Sequence, residues 1–348
     1  MNLTDILKKT GIENFKKEEI LFLLNQKEED AREEIYRAAR KVRQKYFNDQ
    51  VFFYGFVYFS TYCRNNCSFC FYRKENKQPP RYRKSRQEII ETAVSLKESG
   101  VHLIDLTMGE DPYYISHPEE LIETVREVKD KTGLPVMISP GVVSHKVIDQ
   151  LAEAGASWYA LYQETHQKKL YDSLRTGQPY EERMAAKEYA AQKGMLIEEG
   201  LLTGVGESRE DIYLSFQEME RLGASQVRTM TFIPQDGTPM GKIERRSFHD
   251  ELLNIALMRI LFPDRLIPAS LDVDGLNGLK QRLMAGANVI TSIIPPKKGF
   301  AGVASAKTDI DEGGRTVEGI METVKECGLS DAGALSYQKW IEKRQSQR

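Results

Sequence analysis

Phe53-Tyr-Gly-Phe-Val-Tyr-Phe-Ser-Thr-Tyr-Cys-Arg-Asn-Asn-Cys-Ser-Phe-Cys-Phe-Tyr72 joins an apolar run to three crowded cysteines. The run over residues 51–59 is aromatic and β-branched, the composition of a buried strand. Cys63, Cys67 and Cys70 follow with the spacing C-x3-C-x2-C, in the loop leaving the strand's C-terminal end.

Seven further apolar runs lie downstream, over residues 101–108, 134–139, 157–163, 195–202, 226–233, 265–272 and 287–294. Amphipathic stretches separate them, at residues 85–99, 119–132, 144–154, 181–193, 209–222, 247–261 and 276–285. Strands alternating with helices call for a parallel sheet. Eight of them predict closure into a (β/α)8 TIM-type barrel, whose chemistry gathers at the strands' C-terminal mouth. An open doubly wound sheet is the competing architecture. Residues 1–50 read as an N-terminal helical extension, with helical stretches at 18–24 and 29–46. The barrel is assigned to residues 51–296. Residues 297–348, Gly-rich and then helical from about Thr316, are expected to complete the barrel exterior.

The 348 residues are 41% hydrophobic and 29% charged, the balance of a globular protein with a sizeable core. Lys and Arg total 49 against 51 for Asp and Glu, a net charge of -2, which offers no basic surface to nucleic acid or an anionic membrane. No run approaches the roughly 18 apolar residues of a membrane span, and the N-terminus lacks the apolar core of a signal peptide. These features predict a cytoplasmic protein. Three of the four cysteines sit within eight positions, whereas a disulfide framework would spread them out. The pattern belongs to metal or redox chemistry in a reducing compartment.

Three thiolates can hold three irons of a [4Fe-4S] cube and leave the fourth iron open to a chelating ligand. A structural zinc site with Cys327 as fourth ligand competes, but zinc favours paired C-x2–4-C knuckles and the second knuckle is missing. An electron-transfer ferredoxin would supply a fourth nearby cysteine. The motif C-x3-C-x-aromatic-C, with Phe69 as the aromatic, resembles the signature of the radical S-adenosyl-L-methionine (SAM) superfamily. That resemblance implies a [4Fe-4S] cluster on Cys63, Cys67 and Cys70, with SAM chelated to the open iron and split to a 5′-deoxyadenosyl radical. Met108-Gly-Glu-Asp111 resembles the family's SAM-ammonium element and implies a cofactor role for Glu110. Gly200-Leu-Leu-Thr-Gly-Val-Gly-Glu207 resembles the element that lies against the adenine. By the same resemblance Arg183 would reach the SAM carboxylate and Glu164 the ribose or methionine moiety. Solvated helix-end charges are the competing reading of both.

Strand residues alternate between the barrel lumen and the helix layer. Asp105, Arg228, Ser270 and Asp272 interrupt otherwise apolar strands, and Ser139 ends another. Buried ions pair with each other or with a ligand. They form either salt bridges within the protein or the wall of a small polar cavity. One guanidinium and two carboxylates match the charges of a diamino acid such as lysine.

The chain further resembles the methylornithine synthase family over nearly its whole length. The likeness is carried by Phe53 to Cys63, Asp105-Leu-Thr-Met-Gly-Glu-Asp-Pro-Tyr-Tyr114, Ala160-Leu-Tyr-Gln-Glu-Thr-His166, Leu266-Ile-Pro-Ala-Ser-Leu-Asp272 and Ala285-Gly-Ala-Asn-Val-Ile-Thr-Ser-Ile-Ile-Pro-Pro296. Departures concentrate in the helices and the C-terminal tail. The resemblance implies isomerisation of L-lysine to (3R)-3-methyl-D-ornithine in pyrrolysine biosynthesis, by radical fragmentation and recombination. Asp105, Ser139, Arg228, Ser270 and Asp272 would bind the substrate. A low-potential donor of flavodoxin or ferredoxin type would supply the electron. An enzyme of the biotin synthase or hydrogenase maturase type is the alternative. Sulfur insertion needs ligands for a second cluster, however, and only Cys327 remains.

Overall fold

The computed structural model describes residues 1–295 and 314–347. Eight parallel strands form the body: β1 (Gln50–Ser60), β2 (Leu103–Met108), β3 (Val136–Ser139), β4 (Ala156–Ala160), β5 (Leu196–Thr203), β6 (Gln226–Thr231), β7 (Pro268–Ser270) and β8 (Val289–Ile293). They are hydrogen-bonded in the order β6-β5-β4-β3-β2-β1-β8-β7. The end strands meet at one bridge, Gln226 to Leu266, where Val227 N–H donates to Leu266 C=O at 3.0 Å. The barrel is therefore nearly closed, and its seam lies between β6 and β7.

Alternation along β1 divides the core in two. Val51, Phe53, Val57 and Phe59 pack outward under the helices, while Phe52, Tyr54, Phe56 and Tyr58 fill the lumen. The helices start where their caps dictate. Ser85 accepts the Glu88 N–H before Arg86–Glu98, and Ser208 accepts that of Asp211 before Arg209–Arg221. Helix His249–Leu261 is buried along nearly its full length, because the N-terminal helices Lys17–Leu24 and Glu29–Phe47 lie over it. Arg43 fastens the second of these by donating to Leu283 C=O and Ala287 C=O at 2.5 and 2.8 Å.

The C-terminal segment divides. Helix Val317–Glu326 joins the outer layer beside Gly275–Ala285. The next segment does not complete the exterior. A two-residue strand, β9 (Ser330–Asp331), pairs with the start of β1, and helix Ala334–Ser346 then crosses the barrel's N-terminal end. Its Tyr337 and Ile341 join the lumen cluster of Phe52, Tyr54, Leu103 and Trp158, and Trp340 stacks parallel to Trp158 with centroids 6.0 Å apart. A barrel end lined with aromatics needs an apolar cover, and this helix provides it. The expected boundary at 296/297 lies outside the described residues.

Candidate active site

One side chain gathers four carbonyls of the loop after β1. Arg81 donates to the carbonyls of Thr61, Tyr72, Arg73 and Asn76, the last three at 2.9, 2.7 and 3.0 Å. Cys63, Cys67 and Cys70 all line a cavity of about 290 Å³ at the C-terminal mouth. Cys327 caps the end of Val317–Glu326 in the outer layer, beside Arg43. Burial pushes the Cys63 and Cys70 thiols up, and the neighbouring cysteines add to it. Thiols raised in this way at Cys63 and Cys70 suit a positively charged group beside them. Among the described residues no three His, Cys, Asp or Glu side chains converge as a single ion requires. Three cysteines at one cavity match the three-thiolate count of a [4Fe-4S] cluster with one open iron. Cys67 Sγ also accepts Gln178 Nε2 at 3.0 Å and faces Arg175 Nη1 at 3.7 Å.

Beside the thiols stands a chain of buried charges. Glu110 meets Arg183 at 3.1 Å and Arg64 at 3.1 Å. Burial raises the Glu110 carboxyl, but Arg183, Asn65 and Arg64 together hold it below the usual range. Burial lowers Arg183, with Arg175 adding to the effect. The turn around Glu110 requires glycine on both sides. A Cβ on Gly109 would lie 2.3 Å from Tyr62 C=O, and one on Gly141, at φ +80, would overlap the Glu110 side chain at 2.0 Å. The adjacent Asp111 turns away, takes both arms of Arg83 at 2.7 Å, and caps helix Pro112–Ser116. Glu164 adopts a left-handed φ of 66 and meets Arg175 at 2.5 Å. Phe69 lines the same cavity, with the Arg175 guanidinium 5.4 Å above its ring.

The lumen below carries the second set. Asp105, Ser139, Arg228 and Asp272 all line the cavity. Asp105 accepts Thr107 Oγ1 at 2.8 Å, and burial, with Glu198 adding, pushes its carboxyl up to about 7. Arg228 gives its Nε to Glu198 at 2.8 Å, and its Nη2 is buried with no hydrogen-bond partner among the described residues. Asp272 accepts Arg315 Nη2 at 2.6 Å, Ser292 Oγ at 2.7 Å and Tyr58 OH at 3.0 Å. Ser270 is the one expected contact that does not reach the cavity. Its Oγ turns to Ser292 Oγ and to the Asp272 N–H, each at 3.2 Å, because the next inward position past β7 belongs to Asp272. Arg228 and Asp272 are thus salt-bridged and also wall the cavity, whereas Asp105 walls it with Thr107 as its hydrogen-bond partner.

The radical SAM superfamily model matches residues 57–219, the cysteine loop through the helix after β5. The 3-methylornithine synthase of Methanosarcina acetivorans is 45% identical over 310 residues, covering 89% of this chain and 88% of that protein. This chain belongs to the radical SAM methylornithine synthase family. A crystal structure of methylornithine synthase superimposes with a TM-score of 0.91 at 41% identity, covering 97% of this chain and 100% of the other. The FeFe-hydrogenase maturase subunit HydE of Thermotoga maritima is 32% identical over 82% of both chains. A [4Fe-4S] cluster and SAM are the cofactors of the superfamily, and the thiols and the adjoining charged chain fit them. No helix among the described residues is long and apolar enough to cross a membrane.

Within this methylornithine synthase fold, sequence reasoning missed Arg175, Gln178, Glu198, Tyr58 and Arg315. Arg175 and Gln178 lie just past the short helix Lys168–Leu174, where no periodicity marks them. Arg315 comes from beyond β8. Glu198 did carry a signal, since Glu198 and Glu199 are two successive charges inside an apolar strand.

Proposed function

We propose that this protein is a radical SAM mutase that isomerises L-lysine to (3R)-3-methyl-D-ornithine, the first step of pyrrolysine biosynthesis. One observation carries the substrate assignment. Arg228, whose Nη2 is buried with no hydrogen-bond partner among the described residues, lines the same cavity as Asp105, Asp272 and the three cysteines. A buried donor without an acceptor is costly, and a carboxylate is the acceptor that a guanidinium fork takes best.

When bound, the cluster and SAM supply a 5′-deoxyadenosyl radical. Cys63, Cys67 and Cys70 hold the cluster, and Glu110, Glu164, Arg183 and the ring of Phe69 receive SAM. Arg228 takes the substrate carboxylate. Asp105 and Asp272 take the two ammonium ends, and Ser139 adds a hydrogen bond. Ser270 works through Asp272 rather than by contact. Fixing a small zwitterion at three points turns encounters between its parts into intramolecular ones. The enclosing lumen keeps water from reactive carbon centres. A low-potential flavodoxin- or ferredoxin-type protein is the reductant this chemistry calls for, and a reducing cytoplasm suits the free thiols.

The test is anaerobic incubation of the reconstituted protein with SAM, reductant and L-lysine, followed by mass and chiral analysis of the amino acids. Formation of 3-methylornithine is expected. SAM cleavage that leaves lysine unchanged in every condition would overturn the assignment.

A further inference from the structure

We propose that Glu198 and Glu199, successive residues of β5, are positioning residues that set the two halves of the active site separately. Glu198 sets the substrate half and Glu199 the cofactor half, so the proposal rests on the function just assigned. Because successive strand residues face opposite sides, one carboxylate enters the lumen and the other the helix layer. Both are fully buried, and neither lines the cavity.

Glu198 has three donors. Its Oε1 accepts Arg228 Nε at 2.8 Å and Gln226 Nε2 at 2.6 Å, and its Oε2 accepts Tyr162 OH at 2.7 Å. Arg228 and Tyr162 are both cavity walls. Fixing Arg228 by Nε sets the plane and direction of a guanidinium whose Nη2 is buried with no hydrogen-bond partner among the described residues. A guanidinium without that anchor would swing among several rotamers, each aiming the fork elsewhere.

Glu199 acts on the backbone. The β4–β5 ladder is regular from Trp158↔Leu196 to Ala160↔Glu198, breaks, and resumes at Glu164↔Leu201. Residues 161–163 of one strand therefore stand against residues 199–200 of the other, which is a bulge with one extra residue. The bulge leaves an N–H without a ladder partner, and Glu199 Oε1 accepts it, from Gln163 at 2.7 Å, together with that of Gly200 at 2.8 Å. Lys187 pairs with the other oxygen and donates to Gln163 Oε1 at 3.0 Å. Just past this clamp Glu164 takes its left-handed backbone and reaches Arg175, while Tyr162 C=O accepts Arg183 Nε at 2.8 Å. A non-glycine residue stays in that conformation only where its surroundings impose it, and the Glu199 clamp is what imposes it here.

Glu198→Gln and Glu199→Gln, in the full chain with reconstituted cluster, separate the two roles. Glu198→Gln is expected to raise the KM for lysine by about tenfold or more, the scale of one lost charge-assisted hydrogen bond. In that variant kcat, SAM affinity and the SAM-induced change in the cluster's electron paramagnetic resonance spectrum stay as in wild type. Glu199→Gln is expected to weaken SAM by a similar factor and alter that spectral change, with lysine binding to the unreduced enzyme retained. Since Glu199→Gln strands Lys187, the double variant Glu199→Gln/Lys187→Met removes the pair together and should show the same SAM defect. Parallel loss of both ligands in both variants, or normal SAM binding in the double variant, would overturn the proposal. Wild-type protein that cleaves SAM but binds no lysine would instead sink the functional assignment.

Discussion

Across 2.6 Å, the phenol of Tyr337 on the final helix meets the phenol of Tyr54 on the first barrel strand. Both are fully buried, and burial pushes both phenols well above their ordinary range. The bond fastens the helix that crosses the barrel's N-terminal end to the layer beneath the cavity. Tyr54→Phe and Tyr337→Phe should each cost about 0.5–1.5 kcal/mol in urea unfolding. The double variant should cost less than the two added, since they share one bond. Strict additivity would show that the two hydroxyls act independently.

Cys63, Cys67 and Cys70 are each expected to be required for cluster assembly, and Cys327 dispensable. Cys67→Ala has a further consequence, because it removes the acceptor of Gln178 and the neighbour of Arg175. Iron content and the visible spectrum after reconstitution give the answer. A full iron complement in Cys67→Ala would sink the ligand assignment.

Arg183→Ala removes both the ion pair to Glu110 and the hydrogen bond to Tyr162 C=O. SAM binding should weaken by about 1.5–3 kcal/mol, the worth of one hydrogen bond to a charged group. Glu110 would at the same time lose the partner that holds its carboxyl low, so the defect should deepen as pH falls. Equilibrium SAM titration at two pH values tests both statements.

Asp105 gives a pH signature. Its carboxyl is raised from 3.8 to about 7, chiefly by burial. Because the folded value is raised, its contribution to stability is fully present below the ordinary carboxylate range and is lost as pH rises through about 7. Ligand binding runs the other way, since holding an ammonium requires the ionised form. Lysine affinity should therefore fall as pH drops below about 7, by at most about 1.4 kcal/mol per pH unit. Asp105→Asn should bind weakly at every pH, and an unchanged slope in that variant would assign the titration to another group.

Arg228→Lys keeps a cation for Glu198 but cannot also offer the free Nη2 donor. It should lose lysine turnover while keeping cluster and SAM. Asp272→Asn leaves Arg315 buried without its carboxylate, so it should lose stability as well as activity, by about 3–5 kcal/mol if the pair is tightly buried. Norleucine, without the distal ammonium, should be a poor substrate for the native enzyme. Its efficient turnover would remove one aspartate from the binding set.

The barrel was legible because each strand is a compact apolar run flanked by turn residues, and all eight runs became strands. The cysteine loop was legible because its chemistry is local. Residues that meet only in three dimensions were not. Arg315 reaches Asp272 from 43 positions away, and Arg175 reaches Glu164 from just past a helix of seven residues, too short to show a period. The Asp105 and Arg228 charges line the cavity and interrupt apolar strands visibly, but Glu198 between them went unnoticed. A helix crossing the barrel floor was missed for a similar reason. Tyr337 and Trp340 on Ala334–Ser346 look like ordinary apolar positions until the aromatic lumen they face is known.

The seam between β6 and β7 has a mechanical consequence. Among the described residues those strands share one bridge, at the end far from the cysteines. Arg228 rides on β6, and Asp272 stands two residues past the end of β7. The main chain thus ties the staves of the barrel at the bottom and leaves the gap above without a rung. A zwitterion gripped by Arg228 on one side and Asp272 on the other would lie across that gap as a cross-tie, turning a curled strip into a hoop for as long as it stays bound.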